Sequence, residues 1–529
     1  MKTTTLQRLP LGRSAFSSIR QAGYLYVDKT QYAYNLITQG DRYFLSRPRR
    51  FGKSLLLSTL QEILESNTSL FQDLWIKKSD YHWHRHGVIT LDLSAIMVTN
   101  LEILRSRLCK LLQNNANHYQ LGLTLHTTEP DSAFEDLVLA LHAKFGHVAV
   151  LIDEYDSPIL KHLNHPELAS DIRDTLRSFF GALKSLDKYI NFVFITGVSS
   201  FAKAGIFSGL NNLKIITLND QWTTICGYTD QEIDQYFTPH IQAWANAENI
   251  SYDTLRSQIK QWYNGYRFGA NATSVHNPFS LMNALDLQKF ENFWFTTGTP
   301  TFLVKELEKA HRASEIQLLE LESIKTTGDI LGIFDIGKTP VPALMFQTGY
   351  LTITNFDKEN QAYQLGFPNY EVRTSAQKYL LSIYTETNIE TTVQFALNLV
   401  SAFKQKNIPE IITLIKSILT RVPYPSHIHE ERFYHSLLQT LFGAAGLKAY
   451  SEHMTSHARA DMIIELPTVN YVLEIKLNQS AQKALAQIEE RKYYEALRYQ
   501  DKPTILLGLN FKREPKNFDI EYESKEIYD

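Results

Sequence analysis

The sequence predicts an α/β protein in three parts: an N-terminal parallel sheet, a mostly helical middle region and a C-terminal α/β domain. Three observations lead to this fold class. A short apolar run, a glycine-containing loop and a helix follow one another at residues 43–60. An apolar strand at residues 148–152 is followed by two carboxylates, as expected for a buried parallel strand whose functional groups lie at its carboxyl end. A strand at residues 471–477 places a carboxylate and an ammonium group on one face.

Length and composition limit the class of protein. The chain has 529 residues, enough for two to four domains. Its formal charge is −3, so that any surface for nucleic acid must be local. The two cysteines, Cys109 and Cys226, are far apart; this excludes a disulfide framework and a cysteine zinc site and favours a reducing cytoplasm. No apolar run approaches the roughly 18 residues of a membrane span, and we expect a cytoplasmic protein without a membrane partner.

The loop of the first pattern is typical of a phosphate-binding loop (P-loop). It reads Ser46-Arg47-Pro48-Arg49-Arg50-Phe51-Gly52-Lys53-Ser54. In such a loop the backbone N–H groups and the helix dipole attract an anion. Lys53 would reach the β- and γ-phosphates of ATP, and the Ser54 hydroxyl would bind Mg²⁺. The remaining candidates for nucleotide binding are Arg50 and Gly52.

Arg47 occupies the position of the first glycine in the P-loop consensus. A side chain resists the positive φ that glycine permits there, so we expect this loop to bend differently. The alternative is a Gly-Lys-Ser helix start that binds no ligand.

The acids after the apolar strand supply the second half of a nucleotide site. Asp153 would hold Mg²⁺, directly or through water, and Glu154 would polarise the attacking water. Solvated acids at a strand end are the alternative, but the two motifs in this order, about 100 residues apart, together indicate ATP binding. Asp156 is a further acid of the site or a helix cap. Thr196 ends the next apolar strand and is the candidate that senses the γ-phosphate.

The stretches outside these motifs and the C-terminal strands offer fewer functional candidates. Tyr24 to Asp28 alternate like a short strand, and we expect Lys29 to be solvated rather than to face the nucleotide. Aromatic turns such as residues 262–269 should pack, although Arg267 could reach the nucleotide from a lid. Residues 347–353 and 363–368 predict a hairpin. Pro423 and Pro425 bracket an expected linker.

The C-terminal strands carry the sharpest chemical pattern. Glu474 and Lys476 lie two residues apart and therefore share a face, and Asp461 on the preceding strand can reach them. Asp461 and Glu474 would bind Mg²⁺ through hard oxygens, and Lys476 would position or deprotonate water for phosphodiester hydrolysis. Glu431 on the preceding helix is a further metal ligand candidate. In the next helix Gln487 and Arg491 face one way and could contact metal, water or phosphate. A solvated charged patch is the alternative.

These motifs resemble a bacterial family that joins an AAA-ATPase-like domain to a C-terminal PD-(D/E)XK nuclease-superfamily domain. The resemblance covers nearly the whole chain and rests on residues 26–30, 46–54, 151–156, 195–199, 211–213, 262–269, 277–279, 346–350, 366–370, 433–437, 459–461 and 474–476. It implies a P-loop domain at 1–224, a helical lid or connecting region at 225–422, and a restriction-endonuclease-like domain at 423–529.

The resemblance also implies the roles of the site residues. Those roles fall on Lys53, Ser54, Asp153, Glu154, Asp461, Glu474 and Lys476. Similar proteins often carry an arginine after the strand that ends at Thr196, whereas this chain offers Lys203 there. This departure puts an arginine-type trigger in doubt and is consistent with slow hydrolysis.

We expect a protein that binds ATP and Mg²⁺, hydrolyses ATP, and uses the nucleotide state to regulate or position a metal-dependent nuclease domain on DNA or RNA. A role in defence against foreign nucleic acid follows only by analogy. Two alternatives stay open: a nucleotide-dependent switch whose nuclease fold is a non-catalytic binding module, and a nuclease whose ATPase half never turns over. The sequence leaves oligomerisation open.

Overall fold

A computed structural model describes most of the chain. It covers residues 6–200, 205–207, 210, 212–298, 306–310, 324–333, 335–336, 339–422, 431–447, 449–454, 459–500, 502–514 and 517–528. The chain forms two compact units, one of residues 1–306 and 323–370 and one of residues 307–322 and 371–529. These units group the chain differently from the three predicted segments 1–224, 225–422 and 423–529, which stay a prediction.

The first unit begins with alternating strands and helices. Its elements up to residue 215 are α1 (Phe16–Gln21), α2 (Thr30–Gln39), β1 (Arg42–Ser46), α3 (Lys53–Leu64), β2 (Gly87–Asp92), α4 (Leu101–His118), α5 (Pro130–Phe145), β3 (Val148–Asp153), α6 (Ser157–Leu160), α7 (Pro166–Ser185), β4 (Ile190–Gly197) and β5 (Lys214–Ile215). The five strands form one parallel sheet in the order β2-β3-β4-β1-β5. The predicted parallel sheet is confirmed.

Burial explains why the central strands read as apolar runs. Every residue of β1 and β3 is buried, as expected where helices cover both faces of a parallel sheet. Helix α3 buries Leu56, Leu60 and Ile63, at the spacing of one helix face. Because β4 lies between β1 and β3, the loop after β1 and the acids after β3 flank the end of β4.

A helical region follows in the same unit. Its helices are α8 (Asp230–Tyr236), α9 (Thr238–Glu248), α10 (Tyr252–Tyr263), α11 (Pro278–Leu287) and α12 (Phe293–Gly298). Thr229 and Glu232 form a capping box at the start of α8, and the Asn277 side chain caps α11. The aromatic turns pack as predicted, with Trp262 stacked on Phe290 at a centroid distance of 5.4 Å. The mostly helical middle region is confirmed.

A small antiparallel sheet completes the first unit. Its elements are β6 (Lys325–Thr327), α13 (Gly328–Leu331), α14 (Val341–Thr348), β7 (Thr352–Asp357) and β8 (Ala362–Gly366). The strands lie in the order β6-β8-β7, and β7 and β8 form the predicted hairpin. Arg267 is exposed, and its guanidinium donates a hydrogen bond to Thr354 O at 3.3 Å.

The expected strand at residues 24–28 is wrong. This stretch lies outside the strands of the structure, although Leu25 and Val27 are buried in an apolar cluster with the helical region. The Tyr24 N–H donates to Ile19 O and the Leu25 N–H to Arg8 O, so the segment is held by scattered backbone contacts and by packing rather than by a sheet ladder. Alternation reports burial on one side, which an extended segment satisfies without strand partners.

The second unit holds the C-terminal strands. Its elements are α15 (Tyr370–Tyr384), which begins at the last residue of the first unit, α16 (Ile389–Lys404), α17 (Ile408–Leu419), α18 (Glu431–Ala444), β9 (Ala449–Met454), β10 (Arg459–Glu465), β11 (Asn470–Leu477), α19 (Ala481–Arg491), β12 (Thr504–Glu514) and β13 (Asn517–Ile527). The sheet order is β13-β12-β11-β10-β9, with β11 and β12 parallel and the other pairs antiparallel. The Tyr471 hydroxyl donates to Phe403 O at 2.6 Å, which ties α16 to this sheet. The expected linker at Pro423 and Pro425 lies outside the described residues.

Membrane-spanning helices are absent from the part of the chain that the structure describes. None of the helices there combines the length and the apolar character that a membrane span requires.

Candidate functional site

The phosphate-type loop after β1 is closed by hydrogen bonds from its own lysine. Gly52, at φ 93°, caps α3, and Lys53 is the first residue of that helix. The Lys53 ammonium is buried and donates to Arg47 O at 3.0 Å and to Pro48 O at 3.1 Å. Arg50 has φ 67°. The loop therefore folds back around the ammonium that was predicted to reach phosphates.

Arg47 contacts residues outside the loop. Its guanidinium is buried, donates to Thr217 O at 2.8 Å and Trp222 O at 3.0 Å, and lies 4.1 Å from the centroid of the Phe268 ring. The positive-φ residues of the loop are Arg50 and Gly52, not Arg47. The loop bends differently from the consensus, as expected, because its positive-φ residues lie further along the chain than the first glycine position, which Arg47 occupies.

The acids after β3 lie beside the loop. Asp153 Oδ1 accepts hydrogen bonds from the Glu154 N–H at 3.0 Å and from the Thr196 hydroxyl. Burial raises the pKa of Glu154, and the charge of Lys53 opposes this rise. Thr196 is fully buried, so it orients the Asp153 carboxylate; its predicted role as γ-phosphate sensor stays a prediction.

Asp156 is a structural clamp in this arrangement. Its buried carboxylate accepts from the Val198 N–H at 3.1 Å, from the Ser199 N–H at 2.6 Å and from the Ser199 hydroxyl. Burial raises the pKa of Asp156, against the effect of the hydrogen bonds from Ser199. Of the two interpretations given to this acid, a helix cap is not observed, since its side chain makes no capping bond to α6. It instead fixes the end of β4.

A cavity of about 460 Å³ lies against the loop and Glu154, whereas Asp153, Asp156 and Thr196 do not line it. Its polar lining includes Arg49, Arg50, Gly52, Lys53, Ser54 and Glu154. Its apolar lining includes Leu25, Val27, Tyr228, Phe279 and Met282. The Arg50 guanidinium lies 4.8 Å from the centroid of the Phe279 ring, so it is held against an apolar part of the wall. A lining that combines phosphate-type donors with apolar groups suits the two halves of a nucleotide.

Lys29 also lines this cavity, and the expectation of a solvated lysine is wrong. The side chain is buried, its ammonium forms an ion pair with Glu232 at 2.6 Å, and it donates to Thr224 O at 2.8 Å. Burial lowers the pKa of Lys29, against the charge of Glu232. The ion pair links the segment before α2 to α8.

The C-terminal strands bring the predicted acids and lysine together. The register that pairs Met462 with Leu473 places Asp461 opposite Glu474 at the next step, on the same face. Lys476 donates to Glu474 Oε1 at 2.8 Å, and Asp461 Oδ2 accepts from the Ile475 N–H at 2.9 Å. The three side chains were predicted to share a focus, and the structure places them at one edge of the β10–β11 pair.

Helices on either side supply further contacts. Glu431 at the start of α18 lies 3.8 Å from the Lys476 ammonium, and Gln487 on α19 donates to Glu474 Oε1. Arg491, predicted beside Gln487, is exposed. Three elements thus converge on the carboxylate of Glu474 and the ammonium of Lys476.

The electrostatics of this cluster favour a bound cation. Glu474 is 1% exposed. Burial, together with repulsion from Asp461, raises the pKa of Glu474 to about 7, although Lys476 opposes the rise. Burial would lower the pKa of Lys476, but the hydrogen bond and charge of Glu474 outweigh it and raise this pKa. Glu474 Oε2 is buried and accepts no hydrogen bond from the described residues, which is costly unless a ligand binds there.

The described residues nevertheless contain no group of three or more histidine, cysteine, aspartate or glutamate side chains placed to hold a metal ion. Two carboxylates, Asp461 and Glu474, meet at the focus. Glu431 faces Lys476 rather than this pair, so its assignment as a metal ligand stays a prediction.

One contact of the C-terminal site was not predicted. His435, on α18, lies with its Nε2 2.6 Å from the backbone oxygen of Asp461. It follows Glu431 by four residues and therefore shares its helix face. Helical spacing from Glu431 was the signal that could have found it.

Family models match the two parts of the chain that contain these residues. A family model described as a predicted AAA-ATPase matches residues 10–207, and one of the PD-(D/E)XK nuclease superfamily matches residues 429–521. The fold and the sites thus define a protein with an ATPase-like N-terminal domain and a nuclease-superfamily C-terminal domain. The chain belongs to the family that joins these two domains.

One relative aligns with nearly the whole chain. The "uncharacterized protein in vnfD 5′ region" of Azotobacter chroococcum mcd 1 is 35% identical over 523 residues, which are 97% of this chain and 98% of that protein. Among solved structures, the Walker-type ATPase PABY2304 of Pyrococcus abyssi has a TM-score of 0.36 at 15% identity and covers 67% of this chain and 96% of its own. The Aeropyrum pernix ORC2 protein has a TM-score of 0.28 at 10% identity, over 70% of this chain and 92% of its own. Structural similarity at this level supports no functional argument.

Proposed function

We propose that this protein binds ATP with Mg²⁺ and hydrolyses it, and that the nucleotide state regulates or positions a C-terminal nuclease acting on DNA or RNA. The observation that carries the proposal is the convergence of Asp461, Glu474 and Lys476 on one strand face, in a chain that also closes a P-loop cavity around Lys53 and Glu154. Either cluster alone is open to a structural interpretation. Two such clusters in one chain are better explained by function.

In the N-terminal cavity each residue has a distinct role. Lys53 exchanges its bonds to Arg47 O and Pro48 O for bonds to the β- and γ-phosphates. Ser54 and Asp153 would hold Mg²⁺, and the Thr196 hydroxyl keeps the Asp153 carboxylate oriented. Glu154 accepts the proton of the attacking water; its raised pKa makes it a better base than an exposed carboxylate, provided that it is ionised.

In the C-terminal cluster the residues fit a divalent metal. Glu474 Oε2, buried without a donor among the described residues, and the facing Asp461 carboxylate are hard oxygen ligands of the kind Mg²⁺ prefers. Bound metal would lower the pKa of water and offset negative charge on the phosphodiester. Lys476 positions the water, while Gln487 fixes the rotamer of Glu474. His435 holds the backbone of Asp461 in place.

A biological role in defence against foreign nucleic acid fits this pair of domains by analogy. The support for it is the architecture and not a particular residue.

One experiment tests the proposal as a whole. Purified full-length protein is incubated with labelled DNA and RNA, with Mg²⁺ or Mn²⁺, with and without ATP. We expect metal-dependent cleavage that changes with ATP, that disappears in Glu474→Ala, and that loses its ATP dependence in Lys53→Ala. Cleavage that persists in Glu474→Ala contradicts the assigned nuclease site, and identical cleavage with and without ATP contradicts regulation by nucleotide.

One observation favours a second candidate function. The described residues offer two carboxylates at the C-terminal focus rather than three acidic or histidine ligands, which suits a binding module that holds nucleic acid without cutting it. ATP-dependent binding of DNA or RNA by a protein that cleaves neither, with either metal, would favour this alternative.

A further inference from the structure

The P-loop cavity is lined by six basic residues, which is more than a nucleotide site requires. They are Arg13, Lys29, Arg49, Arg50, Lys53 and Lys161. Five of them are already engaged by the protein. Sorting these contacts shows which cation is left to act on a ligand.

Two of the engaged cations lie over aromatic rings. The Arg13 guanidinium is 4.7 Å from the centroid of Tyr24, and that of Arg50 is 4.8 Å from the centroid of Phe279. Such contacts hold the guanidinium plane against a ring. Both groups are therefore committed to the walls of the cavity.

The lysines are engaged by oxygen atoms. Lys29 pairs with Glu232. Lys161 donates to Ser94 O and more weakly to Ile96 O. Lys53 holds the loop carbonyls, and in P-loop proteins this lysine serves the β- and γ-phosphates.

Arg49 is the remaining cation. Within the part of the chain that the structure describes, its guanidinium has no hydrogen bond, ion pair or aromatic contact. Its backbone, by contrast, is fixed: Trp294 Nε1 donates to Arg49 O at 3.0 Å. Two residues earlier, Arg47 anchors the loop from behind through Thr217 O and Trp222 O. The loop backbone is thus anchored on both sides of Arg49, and its uncommitted guanidinium lines the same cavity as Lys53 and Glu154.

We propose that Arg49 is a catalytic residue of ATP hydrolysis, an arginine trigger supplied by the phosphate-binding loop itself, whose guanidinium contacts the γ-phosphate. The inference rests on the proposed ATPase function. It supplies the positive charge that Lys203, outside the described residues, leaves in doubt. It also gives each loop arginine a different role. Arg47 anchors the loop, Arg49 contacts the phosphate, and Arg50 lies against the Phe279 ring.

The reaction defines what Arg49 does. The oxygen of water forms a bond to the γ-phosphorus while the bond from phosphorus to the β,γ-bridging oxygen breaks. That oxygen keeps the electron pair and leaves with ADP, and the water proton passes to Glu154 and then to solvent. Negative charge spreads over the transferred group in the transition state, where a planar guanidinium with paired donors stabilises it.

The position of Arg49 has a second consequence. Its charge opposes the effect of burial on the pKa of Glu154, which helps to keep that carboxylate ionised as a base. The Arg49 guanidinium and the Glu154 carboxylate, which line the same cavity, are therefore electrostatically coupled.

The test compares full-length wild type with Arg49→Ala, Arg49→Lys and Arg107→Ala, the last an exposed arginine on α4 that serves as a matched control. We expect Arg49→Ala to lower kcat by about 100-fold or more while the Kd for ATP changes by less than about threefold. Affinity for ADP with aluminium fluoride, which mimics the transferred group, should fall in parallel with kcat. Arg49→Lys should recover only part of the rate, and Arg107→Ala should match the wild type.

The outcomes separate this inference from the proposed function. Wild-type turnover that Arg49→Ala leaves unchanged overturns the inference alone. A parallel loss of kcat and ATP affinity in a folded Arg49→Ala variant overturns it too, since that pattern marks a binding residue. Wild-type protein that binds no ATP, or binds it without turnover, overturns the ATPase function together with the inference.

Discussion

Replacing Lys53 by methionine separates the two tasks of the P-loop ammonium. Methionine keeps the unbranched apolar stem, so the packing of the buried side chain changes little. The variant loses the hydrogen bonds to Arg47 O and Pro48 O. Leaving such buried carbonyls without a donor costs about 1–3 kcal/mol each, so we expect a lower melting temperature for the nucleotide-free variant.

The variant should also bind ATP more weakly. Loss of the cation should weaken ATP binding by more than tenfold, or about 1.4 kcal/mol. At an ATP concentration of 100 times the wild-type Kd, the ligand stabilises the wild type by about 2.7 kcal/mol. The variant, whose Kd is at least tenfold higher, gains at most about 1.4 kcal/mol under the same conditions.

Calorimetry and thermal melting with and without MgATP measure both quantities on one sample. Lys161→Met is the matched control, because it removes a cavity-lining lysine that bonds to Ser94 O instead of to the loop. We expect the control to keep most of the ATP-induced shift. An unchanged Kd in folded Lys53→Met would refute the assignment of this cavity to nucleotide phosphates.

Two further predictions concern the first unit. Glu154→Gln should retain ATP binding and lower hydrolysis by a factor on the order of 10² or more; equal turnover in a steady-state phosphate-release assay would move the base elsewhere. Burial, opposed by Asp230, lowers the pKa of His276 from 6.5 to about 4, so this group stays neutral when folded and its unfolded form takes up protons first. Stability should therefore fall as pH drops below 6.5, by about 2 kcal/mol from this group between pH 7 and 5. Urea unfolding should show a flatter pH dependence in His276→Gln, and an unchanged slope would contradict the buried neutral histidine.

Local sequence patterns predicted the architecture and which site residues share a strand face. Strand periodicity alone placed Glu474 and Lys476 together, because a period of two is enforced by the pleat. A fully apolar run followed by two carboxylates put Asp153 and Glu154 at a strand end, where β3 does stop. These inferences succeeded because each needs only the geometry of one element and its immediate neighbour.

Long-range partners set the features that could not be predicted. Lys29 is buried because Glu232, from a distant helix, pairs with it, and no local pattern announces that ion pair. Arg47 is tied to carbonyls of the 217–222 segment, which tertiary packing alone brings to the loop. Helical spacing from Glu431 marks His435, but its contact with Asp461 O depends on α18 docking against β10.

The chemistry of the sites is the part that geometry leaves to experiment. The arrangement of Asp461 opposite Glu474 is equally suited to holding a metal for cleavage and to holding one for binding. Burial and repulsion from Asp461 raise the pKa of Glu474 to about 7 even beside the Lys476 ammonium, so the ionised carboxylate is disfavoured there. A bound divalent ion would remove that penalty.

The most direct test of the nuclease site is the rate of Mg²⁺- or Mn²⁺-dependent cleavage of labelled DNA or RNA by Asp461→Asn and by wild type. Asparagine keeps the shape of the side chain and its acceptor toward the Ile475 N–H, but it lacks the charge that a divalent metal requires. We predict wild-type cleavage that depends on metal and a variant that melts like the wild type yet cleaves at least about 100-fold more slowly. Equal cleavage by the folded variant, at matched metal concentration, would contradict the assignment of Asp461 and Glu474 as the metal-binding pair.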